Sequence, residues 1–135
     1  MKTTGLIILC LWALNLTAQN KYGLSPMRME EYKKSVVSDP ANELVNLEKF
    51  IPGLKVEIRY ATTNNFTGEK IYNLARAYSR RPVAEALKKI QTDLKVNGLA
   101  LKIYDGYRPY SATVKFYETY HDTTYVASPY KGSRH

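Results

Sequence analysis

The sequence predicts one small domain of the α+β class. Residues 55–60 and 99–104 alternate polar and apolar side chains, as half-buried strands do, and residues 82–97 place apolar side chains at helical spacing. The two patterns are mixed without the regular strand and helix alternation of a parallel α/β sheet, which favours α+β. A chain of 135 residues, 44% of them hydrophobic and 24% charged, has room for one core and no second domain.

Residues 1–19 are predicted to form a secretory signal peptide. Lys2 gives a positive start, residues 5–16 are almost wholly apolar, and small and polar residues follow. The apolar run is shorter than the ~20 residues that span a bilayer, so we expect no stable membrane insertion after cleavage. Cys10 lies inside the run without the small preceding residue of a lipoprotein signal. The leader predicts export to the periplasm with cleavage near residue 19. Its removal would take away the one cysteine.

The rest of the chain is basic. Its net charge of +8 falls to +7 when Lys2 leaves with the leader. The charges are dispersed and accompany no helix-turn-helix, zinc-finger or RNA-binding signature, so we expect no nucleic-acid partner. A basic surface on an exported protein suits an anionic neighbour such as cell-wall polymer or lipid.

A polar lead-in at residues 20–27 precedes a short predicted helix. The helix should end at Asp39, because the residue before a proline is disfavoured in helical conformation. Its residues at helical spacing are Met29, Tyr32, Lys33, Val36 and Val37. A second set repeats every three to four residues up to a turn at Pro52 and Gly53, and consists of Leu44, Leu47, Phe50 and Ile51.

The first predicted strand covers residues 55–60. Its buried face would consist of Val56, Ile58 and Tyr60. A polar loop follows at residues 62–68, in which Phe66 is an isolated aromatic residue. Such a loop is either a bare connector or the wall of a pocket.

The clearest helix begins at Pro82 and ends at Gly98, because proline is favoured in a first helical turn and glycine at a C-cap. Its predicted core stripe is Val83, Leu87, Ile90 and Leu94. The second strand, residues 99–104, follows directly and delivers the turn at residues 105–109.

Ser111 is a candidate N-cap for a last helix. This helix would carry Val114 and Tyr117 toward the core and close at residues 120–122. Residues 123–135 are predicted to be loop or edge strand.

Arg108 is the first candidate for chemistry. It lies in Asp-Gly-Tyr-Arg-Pro at the end of a predicted strand, where Gly106 permits unusual backbone angles and Pro109 fixes the exit of the turn. A guanidinium held in this way could stabilise an oxyanion, since it stays charged and offers several donors in a planar fork. The equally weighted alternative is a structural ion pair with Asp105.

Three sequence blocks resemble the VanX-type D-alanyl-D-alanine dipeptidases, zinc peptidases of family M15. The first joins Ile-Arg-Tyr-Ala-Thr at 58–62 to Asn-Asn-Phe-Thr-Gly at 64–68, the second is the arginine turn at 105–109, and the third is Gly-Ser-Arg-His at 132–135. Their order and spacing match the family, and the similarity runs from about Leu47 to the end. The resemblance implies the small mixed fold of that peptidase type.

The resemblance also implies roles for particular residues. Arg108 would stabilise the transition state, His135 would be the first ligand of a single zinc ion, and Ser133 would help to position the dipeptide. Weaker candidates for pocket walls are Tyr60, Phe66 and Tyr107. The plain alternatives are a loop hydroxyl for Ser133 and core packing for the aromatic residues.

In the family the zinc motif continues beyond its first histidine and a later Glu-x-x-His supplies the base and the third ligand. A catalytic zinc takes three protein ligands and a water, and this sequence offers His135 alone. We therefore expect residues 20–135 to be the N-terminal portion of the dipeptidase domain, incomplete at its C-terminus and inactive as written. The intact form would be active.

The function implied is zinc-dependent hydrolysis of the D-alanyl-D-alanine dipeptide in cell-wall metabolism. The leader favours periplasmic recovery of D-alanine over cytoplasmic glycopeptide resistance. Two alternatives stay open: a D,D-carboxypeptidase or endopeptidase acting on peptidoglycan fragments, and a non-catalytic exported module that binds wall polymer. The sequence gives no indication of oligomeric state.

Overall fold

The computed structural model of the chain describes residues 21–133, so the predicted signal peptide and His135 lie outside the described residues. The described part contains four α-helices and four short strands. The helices are α1 Met29–Ser38, α2 Leu47–Phe50, α3 Arg81–Lys95 and α4 Tyr110–Thr119, and the strands are β1 Leu44–Asn46, β2 Lys55–Val56, β3 Tyr78–Arg80 and β4 Lys102–Ile103. This mixture confirms the predicted α+β class.

The strands form two separate pairs. Strands β1 and β3 are antiparallel, with Leu44 opposite Arg80, whereas β2 and β4 are parallel, with Lys55 opposite Lys102. In the parallel pair the Glu57 amide donates to the carbonyl of Ile103 at 2.9 Å. The second pair thus aligns the ends of β2 and β4, from which the two motif segments 58–68 and 105–109 emerge on the same side.

Helix α1 has the predicted bounds. At its start the Arg28 amide donates to Oε2 of Glu31 at 2.9 Å, and Asp39 is the C-cap at its end. None of its side chains is buried, and Val37 is 86% exposed, so the apolar residues at helical spacing do not make a core face in the described part of the chain. The Tyr32 hydroxyl accepts a hydrogen bond from the Leu44 amide at 2.8 Å, which ties the helix to β1.

Helix α3 has Pro82 in its first turn, as predicted, but it ends at Lys95 with Val96 as the C-cap. Gly98, whose φ is +68°, lies in the turn that follows and does not cap the helix. The predicted stripe is only partly right. Its buried residues are Ala84 and Gln91, while Val83 is 51% exposed and Ile90 46% exposed. Gln91 is buried because its Oε1 accepts the Leu101 amide at 2.7 Å, which joins α3 to the segment leading into β4.

Both predicted strands are much longer than the observed ones. Pairing covers only Lys55–Val56 and Lys102–Ile103, and the chain turns into a 3₁₀ helix at Arg59–Ala61. Of the predicted inner face, Ile58 is buried and Val56 and Tyr60 are half-buried. Alternation of polar and apolar residues predicts which side chains face the core. A strand also needs a hydrogen-bonded partner strand along its length, which these segments have over two residues only.

Three local features differ from the sequence analysis. Leu44 lies in β1, so the run with Leu47 and Phe50 is a strand followed by a short helix. Ser111 does not cap α4, because Pro109 is the N-cap and makes no side-chain cap bond. The core face of α4 is made by Ala112, Thr113 and Phe116, with Val114 and Tyr117 half-buried.

The core of the described residues lies where α2, α3 and α4 meet the loops that join the strands. Its buried members are Leu47, Ile51, Leu54, Ile58, Ile71, Tyr72, Ala77, Ala84, Ala112, Phe116 and Val126. Within residues 21–133, none of the helices is both long and apolar enough to cross a membrane.

Candidate active-site cleft

The turn at residues 105–109 is anchored by a close approach between two backbones. The Tyr107 amide donates to the carbonyl of Tyr78 at 2.6 Å, and a Cβ on Gly106 would lie 2.6 Å from the same oxygen. Gly106 is not among the glycines with positive φ. The expectation that it provides unusual backbone angles is therefore wrong: glycine is needed here because a side chain has no room beside β3.

Replacing Gly106 by alanine should destabilise the protein by about 1–3 kcal/mol, because the new methyl group must displace backbone. Thermal and urea unfolding measure this effect. Gly68→Ala is the matched control: its Cβ would meet nothing within 4 Å, although its φ is +70°. Its loss should be about 1–2 kcal/mol from backbone strain alone. An unchanged stability in Gly106→Ala would contradict the close approach.

Arg108 leaves this turn and is held from two sides. Its Nη2 donates to Oδ2 of Asp105 at 2.6 Å, and its Nε donates to the Tyr72 hydroxyl at 3.1 Å. The Tyr72 hydroxyl in turn donates to Oδ1 of Asp105 at 2.8 Å, and the Gly106 amide donates to that same oxygen. Three side chains thus form a closed ring of hydrogen bonds, and the predicted pair with Asp105 is part of it.

Burial and hydrogen bonding fix the charge states of Tyr72 and Arg108. Burial raises the pKa of the Tyr72 hydroxyl well above its usual range, so the phenol stays protonated. Burial lowers the pKa of Arg108, but the hydrogen bonds to Asp105 and Tyr72 outweigh that effect and the pKa is raised. The guanidinium is therefore permanently charged, as oxyanion stabilisation would require.

Aromatic rings surround the guanidinium. Its carbon lies 4.6 Å from the ring centroid of Phe116 and 5.8 Å from that of Tyr60. Phe66 stacks on Phe116 with centroids 6.1 Å apart and meets Tyr60 edge-on. These apolar faces reduce the access of water to the cation, which strengthens its electrostatic effect on a nearby group.

Arg108 lies on the wall of a cleft of about 530 Å³. The lining combines charged and polar residues with aromatic ones, namely Arg59, Tyr60, Asn65, Phe66, Tyr104, Asp105, Arg108, Phe116, Tyr125 and Val126. The cleft opens beside β2 and β4, where the 58–68 and 105–109 segments leave the parallel pair. It is large enough for a dipeptide.

The loop that carries Phe66 is fastened by Asn65. The Asn65 side chain donates to the carbonyls of Thr62 at 2.7 Å and Glu69 at 2.8 Å, and accepts the Thr67 amide at 2.9 Å. One amide side chain therefore replaces the regular hydrogen bonds that the loop lacks. Of the two readings of this loop, the pocket wall is the one that fits its position.

The structure brings together some of the predicted site residues. Arg108, Tyr60 and Phe66 line the cleft, whereas Tyr107 is half-exposed and lines a different groove, beside β3 and Gly106. Ser133 is half-buried after the turn at residues 128–132 and is not among the cleft-lining residues. The roles assigned to Ser133 and to His135, which lies outside the described residues, stay predictions.

The described residues do not suffice for a zinc site. Between residues 21 and 133, no three His, Cys, Asp or Glu side chains lie together in a way that could hold a metal ion. Asp105, the carboxylate in the cleft, is already occupied by Arg108, Tyr72 and the Gly106 amide. A zinc site would therefore need ligands outside residues 21–133.

The sequence analysis missed Tyr72 and Arg59 as members of this site. Tyr72 lies 36 residues from Arg108 in a segment without a recognisable pattern, so no local signal identifies it. Arg59 is part of the motif at 58–62, but a strand was predicted there. The observed 3₁₀ helix is what places Arg59 on the cleft wall.

Comparison with known proteins gives the same family as the three sequence blocks. The family described as D-ala-D-ala dipeptidase matches residues 40–135. The D-alanyl-D-alanine dipeptidase of Escherichia coli K12 is 38% identical over 93 residues, which cover 69% of this chain and 48% of the relative. The enzyme of the same name from Enterococcus faecalis V583 is 36% identical over 73 residues, covering 53% of this chain and 36% of the relative.

This chain thus spans about half the length, or less, of the curated relatives it matches. The matched range contains the arginine turn, the Asn65 loop and the residues that line the cleft. The predicted resemblance is confirmed, and the chain belongs to the D-Ala-D-Ala dipeptidase family of peptidases, family M15.

Proposed function

We propose that the protein hydrolyses the D-alanyl-D-alanine dipeptide and that Arg108 stabilises the transition state. The observation that carries the proposal is the position of Arg108 on the wall of the cleft, held by Asp105 and Tyr72 and bordered by aromatic rings. The curated relatives are D-alanyl-D-alanine dipeptidases, which supports the choice of substrate.

The geometry of Arg108 suits an oxyanion. Attack on the scissile carbonyl places negative charge on its oxygen, and a donor that is already oriented stabilises that charge without reorganising. Tyr72 accepts a hydrogen bond from Nε and Asp105 accepts one from Nη2, while Nη1 makes no hydrogen bond to another residue between 21 and 133. This nitrogen is the donor that we assign to the substrate oxygen.

Zinc, export and biological role are further parts of the proposal. The family resemblance implies zinc as the cofactor with His135 as one ligand. Ligands outside residues 21–133 would complete the site, because the described residues hold no group of three metal-binding side chains. The apolar N-terminal segment supports export to the periplasm. Removal of the dipeptide there would return D-alanine from cell-wall turnover.

The test is release of D-alanine by the purified full-length protein, meaning the intact form of the dipeptidase domain, since residues 20–135 alone are expected to be inactive. We expect hydrolysis of D-Ala-D-Ala and no hydrolysis of L-Ala-L-Ala, and we expect chelation to abolish turnover and added Zn²⁺ to restore it. A muropeptide ending in D-Ala-D-Ala is the comparison substrate. Preference for the muropeptide would favour a carboxypeptidase, and no turnover of either substrate would contradict the proposal.

A further inference from the structure

The cleft contains a second arginine, which differs from Arg108 in its surroundings. Arg59 lines the same cleft and its side chain is 55% exposed, compared with 12% for Arg108. Its Nε donates to Oε1 of Glu57 at 2.7 Å. Neither Nη1 nor Nη2 of Arg59 makes a hydrogen bond to a residue in the described range 21–133. Both terminal nitrogens of the guanidinium could therefore bind a ligand.

The charges of the cleft are unevenly distributed. Among residues 21–133, Arg108 forms its ion pair with Asp105, so this pair is neutral overall. Glu57, the partner of Arg59, also pairs with Lys102, so two cations share one carboxylate. The hydrogen bonds from Lys102 and Arg59 lower the pKa of Glu57, which keeps that carboxylate ionised. One positive charge therefore remains unbalanced beside Arg59.

Arg59 is also held in place. Its backbone carbonyl accepts the Thr62 amide at 2.9 Å in the 3₁₀ helix. Its guanidinium carbon lies 6.0 Å from the ring centroid of Tyr104, another residue of the cleft wall, and Lys102 lies 5.1 Å from the same centroid. The fork is thus positioned by Glu57 on one edge and by an aromatic ring, which limits its freedom before a ligand arrives.

From these observations we propose that Arg59 binds the C-terminal carboxylate of the substrate. This inference rests on the proposed function and deepens it. A free dipeptide presents one carboxylate beside the scissile bond, and an arginine fork with an unbalanced charge binds a carboxylate strongly. Arg108, whose charge is balanced by Asp105, then receives the carbonyl oxygen, which is uncharged until attack. The site would select substrates that end at the residue released, as a dipeptidase or carboxypeptidase does.

The test compares D-Ala-D-Ala with its C-terminal amide, D-Ala-D-alaninamide, as substrates of the full-length protein. Arg59→Ala should raise KM for the free dipeptide about 10- to 100-fold with kcat little changed, because it removes a charged contact made equally in the ground and transition states. The wild-type protein should show a similar rise in KM for the amide. Arg59→Ala should cause no further rise with the amide.

Arg28→Ala is the matched control, since Arg28 is an exposed arginine that pairs with Glu31 through Nε and Nη2 outside the cleft. Its KM should equal that of the wild type. Arg59→Gln, which keeps most of the side-chain length, serves as a second variant, and thermal unfolding verifies that each variant is folded. An unchanged KM in folded Arg59→Ala, or equal losses with acid and amide, would overturn the assignment of Arg59. Wild-type protein that cleaves neither substrate would overturn the proposed function and this inference together.

Discussion

Replacing Arg108 by alanine in the full-length protein should lower kcat for D-Ala-D-Ala hydrolysis about 100- to 1,000-fold, with little change in KM. This is the size of effect seen when a pre-oriented oxyanion donor is removed. The contact exists fully only when charge has developed on the substrate oxygen, so the loss should appear in kcat. Steady-state kinetics with free D-alanine as the product measure both constants.

A double variant separates catalysis from folding in this experiment. Loss of Arg108 leaves Asp105 partly buried without its cation, which itself destabilises the fold. In the double variant Arg108→Ala, Asp105→Asn the uncompensated charge is absent, so stability should recover while kcat stays low. A double variant with kcat near the wild-type value would contradict the catalytic role.

Replacing Phe116 by alanine should lower the free energy of unfolding by about 3–5 kcal/mol. Phe116 is 2% exposed and forms the centre of the aromatic cluster, with Tyr60 at 4.8 Å and Tyr72 at 6.3 Å between ring centroids. Its removal opens a cavity beneath Arg108 and Tyr60. Urea unfolding of the full-length protein followed by circular dichroism measures the change.

Phe66 offers the matched control, because it belongs to the same cluster but is 52% exposed. Phe66→Ala should cost about 1 kcal/mol, since little apolar surface is lost to water and no closed cavity forms. Equal losses in the two variants would show that Phe116 is not the packing centre.

The parts of the fold that the sequence predicted correctly are those that local interactions determine. Helix α1 ends at Asp39 and α3 has Pro82 in its first turn, because proline acts on its immediate neighbours. Strands β1 and β3 were not predicted. Each is three residues long, and the pairing of Leu44 with Arg80 joins distant segments that carry no local alternation.

The face of α3 illustrates a different limit. A stripe of large apolar residues predicted Val83 and Ile90 in the core, whereas Ala84 and Gln91 occupy it. A small residue allows close approach, and a polar one is buried when it satisfies a backbone amide, here that of Leu101. Neither reason is visible from hydrophobicity alone.

The sequence predicted those residues of the candidate site that belong to a recognised motif. Arg108, Tyr60 and Phe66 stand in recognised blocks, and the structure places them around one cleft. Tyr72 carries no such mark, although it shares the hydrogen-bonded ring with Arg108 and Asp105. Tyr72 meets Arg108 and Asp105 only in the folded protein, so its place in the site follows from the tertiary structure.

The most direct test of the role of Arg108 is the affinity of a phosphinate analogue of D-Ala-D-Ala, whose tetrahedral centre imitates the attacked carbonyl. We expect Arg108→Ala to weaken inhibition by the analogue by the same factor by which it lowers kcat/KM, while substrate KM stays nearly constant. If the variant loses turnover but binds the phosphinate as tightly as the wild-type protein, the guanidinium does not stabilise the oxyanion.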